Sequence, residues 1–327
     1  MRYCVIGAGA MGGMYGLRLV EAGYSVDFFD TNQEHVDTIK RKGFQLSGVK
    51  GDGLYRVNAT ADPYELENTA DIVLFQAHTS GTIDAADVAA LVLKPEGWAI
   101  TLQNGIGNLE ALMKALGSDR VVGGISYHSA ELRGMGHTVH TNEGPTFLGE
   151  VSGDKSARVD ILYDAFRKAQ LSPELASDIM SVIWSKFIVN CGVNPVCAVS
   201  GLRSGEVARN FSANELQTKI LEEIMQVVNA KGIKLSNNDM IGYVKKLTKS
   251  RYNKPSMQQH IDAGRLTEID SLNGALVQEA KALDIAVPYN ESLVLMTKAR
   301  EAAMVQAKSG VEPDYAALEA IAEKEGN

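Results

Sequence analysis

The opening thirty residues constrain the fold more than any other stretch. Arg2 to Ile6 is a short apolar strand pattern, followed by Gly7-Ala-Gly-Ala-Met-Gly12 and a helical pattern through Leu19 and Val20 to Gly23. Tyr24 to Asp30 then reads as a second strand. Gly7, Gly9 and Gly12 make a G-x-G-x-x-G, a triplet that is weak alone because it arises by chance. Here it follows a strand, opens a helix, and is trailed by a strand that ends in an acidic residue about 20 positions on. The first glycine permits a tight turn, the second lets backbone approach a pyrophosphate, and the third allows close helix–strand packing. The helix N-terminus adds N–H groups and a partial positive charge for phosphate. Gly7, Gly9, Ala10, Met11, Gly12 and Asp30 are therefore the expected dinucleotide-binding residues. A carboxylate at Asp30 accepts hydrogen bonds from a ribose 2′-hydroxyl and repels a 2′-phosphate. The next residue is Thr31, and no Arg or Lys appears before Lys40. NAD(H) is thus favoured over NADP(H). The competing reading has Asp30 capping the following helix.

Strand and helix patterns continue to alternate: a helix over Gln33 to Lys42, a strand at Asp71 to Gln76, a helix over Thr82 to Leu93, and a strand at Trp98 to Gln103. Such alternation implies βαβ units and a doubly wound parallel sheet of Rossmann type. From Val121 to Glu150 the texture changes to β-leaning segments, such as Thr138-Val-His140 and Thr146-Phe-Leu-Gly149, read as extra strands that finish the first domain. After Leu171-Ser-Pro173 the pattern is almost wholly helical, with helices expected near 176–191, 214–231, 236–249, 265–283 and 292–308. Gly232 and Gly310 sit where helix stops belong. The expected fold is α/β, with a dinucleotide-binding domain over 1–172 and an all-α substrate and dimerisation domain over 173–327.

At 327 residues, two domains are the natural expectation. A formal net charge of −8 argues against a nucleic-acid partner, which needs clustered Lys and Arg. No apolar run is read as reaching the ~20 residues of a membrane span, and the N-terminus reads as a strand instead of a signal peptide. Cys4, Cys191 and Cys197 lie in apolar or helical contexts without metal-ligand spacing. The expectation is a cytoplasmic protein with reduced thiols and no metal site.

Two segments of the helical half place polar residues among apolar ones. Lys186, Asn190 and Asn194 recur every four residues, which puts them on one helix face amid Trp184, Phe187, Ile188 and Val189. Pro195 should loosen or end that helix. Glu268 falls in an expected helix whose Ile261, Ile269, Leu272 and Leu276 would pack inward, and pairing with Lys186 would keep an ammonium protonated. Ser256 lies just upstream as a donor for a substrate carboxylate. The bland alternatives are a solvated stripe for the first segment and a surface helix position for Glu268.

The motifs occur in a specific order: G-x-G-x-x-G, Gln103-Asn104-Gly105 after a mid-domain strand, W-x-K-x-x-x-N-x-x-x-N ending at Asn194, Ser256-Met257, and T-E-I-D-x-x-N-G from Thr267. This order resembles the ketopantoate reductase (2-dehydropantoate 2-reductase) family over essentially the whole chain. The resemblance implies that Lys186 is the general acid, protonating the C2 oxygen of a 2-oxo acid while hydride arrives from a nicotinamide. It implies Glu268 as the acidic partner near the reacting centre, and Asn104 lining the nicotinamide and substrate site. Ser256 would contact the carboxylate, and Asn190 and Asn194 the substrate's polar groups. The residue types suit the chemistry, because hydride addition builds negative charge on oxygen that a positioned ammonium both stabilises and protonates.

Three positions depart from the family pattern. Thr31 stands where NADP-preferring members carry Arg, and His78 where they carry Lys. Ser204, within Arg203-Ser204-Gly205, stands where the family often has Asn, which leaves one substrate contact open. The first two departures are similar to an NAD-using branch that reduces bulky or apolar 2-oxo acids to D-2-hydroxy acids, as D-mandelate dehydrogenase does. The first expectation is therefore an NAD-dependent D-2-hydroxy-acid dehydrogenase. The second is a housekeeping 2-dehydropantoate 2-reductase using NADPH, and the third a dinucleotide-sensing protein without turnover. The partner expected is a small-molecule 2-oxo acid, and the resemblance permits a homodimer through the helical domain.

Overall fold

The computed structural model describes residues 1–77, 82–310 and 314–325. His78 lies outside the described residues. The chain forms two compact units: Met1–Ile188 with Val228–Asn238, and Val189–Val227 with Asp239–Asn327. The division falls inside a helix, Ile179–Ser200, downstream of the boundary expected near Pro173 from the change to a helical pattern.

The first unit contains strands β1 (Arg2–Ile6), β2 (Ser25–Phe29), β3 (Phe44–Gly48), β4 (Gly53–Tyr55), β5 (Asn58–Thr60), β6 (Ala70–Phe75), β7 (Leu93–Thr101), β8 (Val121–Ser126), β9 (Ser129–Gly134), β10 (His137–Asn142), β11 (Thr146–Gly149) and β12 (Pro173–Leu175). Its helices are α1 (Ala10–Glu21), α2 (Gln33–Lys42), α3 (Thr82–Val92), α4 (Asn108–Leu116), α5 (Ala157–Lys168) and the first half of α6 (Ile179–Ser200). Eight strands form the main sheet in the order β12-β11-β8-β7-β6-β1-β2-β5. Every neighbouring pair is parallel except β11 with β8. Its central strands are buried on both faces, so they read as unbroken apolar runs such as Ile72-Val-Leu-Phe75.

The first unit also holds a second sheet, β4-β3-β10-β9, that the sequence did not reveal. The β-leaning segments between Val121 and Glu150 were expected only as extra strands finishing the first domain, with no sheet assigned to them. β10 pairs in parallel with β3, some ninety residues earlier in the chain, and α1 packs against both sheets. The close seating of α1 depends on small residues: a Cβ at Gly16 would meet the Phe28 ring at 2.4 Å, and one at Gly13 would meet Thr138 Oγ1 at 2.5 Å.

In the second unit the continuation of α6 is joined by α7 (Ser204–Val207), α8 (Phe211–Ala230, its last turn in the first unit), α9 (Met240–Lys249), α10 (Ser256–Asp262), α11 (Asn273–Ala282), α12 (Pro288–Ser309) and α13 (Tyr315–Glu325). Three expectations are corrected here. Pro195 does not end its helix, because α6 runs through it to Ser200. The carbonyl orphaned by a proline is that of the residue four back, and Cys191 O accepts instead from Asn273 Nδ2 at 3.2 Å. Gln217 Nε2 similarly serves Gly192 O at 3.0 Å. The helix expected over 265–283 is broken into a 3₁₀ turn at Ile269–Ser271 and α11. The helix expected from Ser236 starts at Met240, where Asp239 Oδ1 accepts from Gly242 N at 2.8 Å.

By length and composition α6 also reaches the threshold for a membrane span, with mean hydropathy 1.4 over its most apolar window, contrary to the sequence reading. Two-thirds of that window is buried in protein (67%), which is the signature of a core helix.

Candidate active site

The glycine loop joins β1 to α1 at the carboxyl edge of the main sheet. The strand order reverses there, with β2 and β5 on one side of β1 and β6, β7 and β8 on the other. Ligands of open α/β sheets bind at such switch points. Gly7 has φ +91°, and a Cβ there would strike Gln76 O at 2.6 Å. A Cβ at Gly12 would lie 1.9 Å from Gly7 O. At Gly9, by contrast, nothing lies within 4 Å, so backbone faces open space where a pyrophosphate would approach. Gly9 caps α1 without a side-chain acceptor, and the first turn, beginning Ala10-Met11, carries no acid. The helix N-terminus is therefore fitted to an anion.

A residue the sequence reading missed holds this loop. His35 on α2 is buried; its Nδ1 accepts from Gly136 N at 3.1 Å, so its Nε2 carries the proton and donates to Ala8 O at 2.9 Å. The available signal was its place on the apolar face of α2 with Val36 and Ile39.

Asp30 follows β2 and is half-buried. It does not cap α2: Asn32 does, accepting from His35 N at 3.0 Å. Asp30 Oδ1 accepts only the turn bond from Asn32 N at 2.9 Å among those described, and a carboxylate has further lone pairs for a ribose. Thr31 beside it is exposed.

Across the switch point, Gln103 clamps the ends of β6 and β7. Its Nε2 donates to Ala77 O at 2.7 Å, and Thr101 Oγ1 donates to its Oε1 at 2.8 Å. Asn104 is half-buried, and its carbonyl is fixed by Asn108 Nδ2 at 2.9 Å. A shallow recess opens beside it, lined by Gln103, Ile106, Asn108, Gly124, Met180 and Ile183.

Lys186, on the first half of α6, is half-buried, and its Nζ donates to Ser126 O, the last carbonyl of β8. The same ammonium lies 4.7 Å from the centroid of the Tyr127 ring. Because β8, β7, β6 and β1 run in parallel, the end of β8 shares an edge with the glycine loop. Behind it, Tyr15 of α1 donates to Ser126 Oγ at 2.7 Å and lies 2.6 Å from Thr146 Oγ1. One buried tyrosine thus ties α1 to the strand end that receives Lys186.

Two buried histidines pack next to this network. His128 Nε2 donates to Leu171 O at 3.1 Å, which leaves its Nδ1 to accept from His140 Nε2 at 3.0 Å. His140 Nδ1 has no partner. Burial and the neighbouring ring push His140 down to about 4, and burial lowers His128 as well.

The remaining expected residues belong to the second unit. Asn190 is half-buried and Asn194 is buried, one turn apart on α6. Glu268 is half-buried and heads the 3₁₀ turn, its carbonyl accepting from Ser271 N and Leu272 N at 3.1 Å, so it is not the mid-helix residue expected. Ser256 is exposed at the first position of α10. Ser204 is buried and donates to Arg251 O at 2.9 Å, so its hydroxyl serves the fold. Asn273, the motif asparagine, bridges Cys191 O and Asn290 Oδ1 and mends the helix at Pro195.

The family description "Ketopantoate reductase PanE/ApbA" matches residues 3–153, and its C-terminal counterpart matches residues 178–301. The chain belongs to the ketopantoate reductase family. It is similar to 2-dehydropantoate 2-reductase of Archaeoglobus fulgidus, with 31% identity over 305 residues, 93% of this chain and 99% of that protein. The corresponding protein of Pyrococcus horikoshii is 28% identical over 92% of this chain and 98% of its own length. Among solved structures, a ketopantoate reductase of Ralstonia eutropha superimposes with TM-score 0.83 at 28% identity, covering 93% of this chain and 99% of the other. D-mandelate dehydrogenase, solved with NADH and anilino(oxo)acetate, gives the same TM-score of 0.83 at 25% identity, with 93% and 99% covered. Membership makes this ketopantoate reductase homologue a nicotinamide-dependent oxidoreductase.

Proposed function

We propose that this protein reduces the ketone of a 2-oxo acid to a 2-hydroxy acid, with 2-dehydropantoate as the substrate. The observation that carries the reading is the Lys186 ammonium, held at the sheet edge that also presents the glycine loop. The names of the relatives support 2-dehydropantoate ahead of the bulkier 2-oxo acids that the sequence placed first. In this reading Gly7 to Gly12 and the start of α1 hold the pyrophosphate, Asp30 holds the ribose, and Asn104 lines the nicotinamide end. The nicotinamide, when bound, supplies the hydride that adds to C2. Lys186 stabilises the charge that develops on the C2 oxygen and then gives it a proton. Its bond to Ser126 O fixes the ammonium so that little reorganisation is needed when that charge forms. Asn190, Asn194 and Ser256 are assigned to the substrate's polar groups and carboxylate, and Glu268 to the acidic group near the reacting centre, all on the family motif.

A general acid contributes about 10²–10⁴-fold. Lys186→Ala should therefore lower kcat/KM by that factor while leaving dinucleotide binding, read by fluorescence titration, unchanged. Wild-type turnover by Lys186→Ala on 2-dehydropantoate, benzoylformate, 2-oxoisovalerate and 2-oxoisocaproate would refute the assignment.

One observation favours a second reading. Asp30 followed by the exposed Thr31 offers nothing cationic to a 2′-phosphate, and the D-mandelate dehydrogenase structure contains NADH. This supports NAD use and reduction of an aromatic or apolar 2-oxo acid. The same panel run with NADH and NADPH separates the two: preference for benzoylformate selects the second reading, and a lower KM for NADPH with equal or better turnover removes its cofactor part.

A further inference from the structure

We infer that Tyr127 is a positioning residue for the proton donor, its ring forming the surface on which the Lys186 ammonium rests. The inference depends on the reading of Lys186 as general acid. Three observations carry it. Lys186 Nζ meets one residue's carbonyl, Ser126 O, and the next residue's ring, at 4.7 Å from the centroid. The ring is held from behind by an edge-to-face contact with Phe147, at 5.8 Å and 73°, and the Tyr127 N–H donates to Pro145 O at 2.9 Å. The preceding residue is pinned by its own side chain, since Ser126 Oγ accepts from Tyr15 at 2.7 Å and from His128 N at 3.1 Å. Strand end, carbonyl and ring therefore present one preformed seat to the lysine.

The chemistry of a ring differs from that of a carboxylate in the same place. A carboxylate would pair with the ammonium and hold its proton more tightly, which opposes transfer. An aromatic face attracts the cation through its quadrupole without neutralising it. The ammonium is thereby oriented and kept charged in the resting enzyme, yet remains able to give up its proton. Among the described residues, the titratable groups packed at this end of β8 include Tyr15, whose hydroxyl donates to Ser126 Oγ, and His128, which feels the charges of Lys50 and Glu143 as well as that of Lys186. On α6, the preceding turn offers only Val182 and Ile183.

Tyr127 is 38% exposed, so its replacement should leave the fold intact. The test uses the full chain with Tyr127→Phe, which keeps the ring, and Tyr127→Leu, which removes it. The readouts are the pH dependence of kcat/KM on 2-dehydropantoate and an NMR titration of ε-¹³C-labelled lysine, with the Lys186 signal assigned by its loss in Lys186→Arg. Tyr127→Leu should lower both the alkaline limb and the Lys186 titration by about half a pH unit, the size of a partly exposed cation–π contact, and reduce kcat about threefold or more. Tyr127→Phe should titrate as the wild type does. A Lys186 titration unmoved in Tyr127→Leu, or moved equally in Tyr127→Phe, overturns the proposal. Because the NMR titration needs no turnover, it separates this outcome from failure of the general-acid reading, which is shown by an active Lys186→Ala.

Discussion

Alanine placed in turn at Gly9 and Gly12 should separate cofactor contact from fold. At Gly12 the new Cβ would lie 1.9 Å from Gly7 O and 2.9 Å from Val5 Cγ1, against 3.4 Å or more for ordinary contact. The nearer obstacle is backbone, so relief requires α1 to retreat from β1 by more than an ångström. Overpacking of this kind costs about 1–3 kcal/mol, and a backbone obstacle places it at the upper end. With an unfolding entropy of about 2 cal/mol/K per residue, 3 kcal/mol corresponds to a fall of roughly 4–7 °C in Tm, the larger figure applying where the first unit melts by itself. At Gly9 φ is −69° and no atom lies within 4 Å, so alanine meets neither a left-handed penalty nor a clash. The small loss of N-cap preference is offset by reduced unfolded-state entropy. Tm should therefore hold, while the methyl occupies the pyrophosphate's approach and weakens dinucleotide binding about tenfold or more, some 1.4 kcal/mol. Differential scanning calorimetry and fluorescence titration with NADH and NADPH measure the two effects. Wild-type affinity in Gly9→Ala, or an unchanged Tm in Gly12→Ala, would refute the assignment of the loop.

Two further outcomes follow from the site's electrostatics. His140 is held near 4 against an ordinary 6.5, so between those values the unfolded chain binds a proton that the folded chain does not, and stability falls as pH drops through that window. The loss approaches about 3 kcal/mol for His140 alone by pH 4, of which about 2 kcal/mol falls between pH 7 and pH 5, and urea unfolding at pH 7, 6 and 5 should show it, with a shallower slope in His140→Gln; equal slopes would place the acid sensitivity elsewhere. For the cofactor, Asp30→Ser combined with Thr31→Arg should shift the NADPH-to-NADH ratio of kcat/KM about tenfold or more towards NADPH, since a charge-assisted bond replaces a repulsion. An unmoved ratio would show that the 2′ position is read by other residues.

The sequence by itself determined the elements whose signals are local. β1, the glycine loop and α1 follow from an apolar run that meets three glycines, and α2 begins and ends as read because Asn32 caps it and Gly43, at φ +92°, stops it. The placement of Lys186, Asn190 and Asn194 on one face of a helix was equally legible, since it needed only helical periodicity. Tertiary structure decided what depends on partners remote in the chain. The second sheet pairs β10 with β3 through short, polar strands whose register no local pattern encodes. Pro195 was expected to loosen or end α6, but the carbonyl it frees is taken up by Asn273, 82 residues away. Glu268 leaves the helical pattern at a 3₁₀ turn, where Thr267 N donates to Glu301 Oε1 at 2.5 Å, a contact with a later helix. The same limit applies to Lys186: periodicity places it on a face of α6, whereas the direction of its ammonium is set by Ser126 O and the Tyr127 ring, sixty residues earlier, because the parallel sheet brings the end of β8 to the edge where the glycine loop opens.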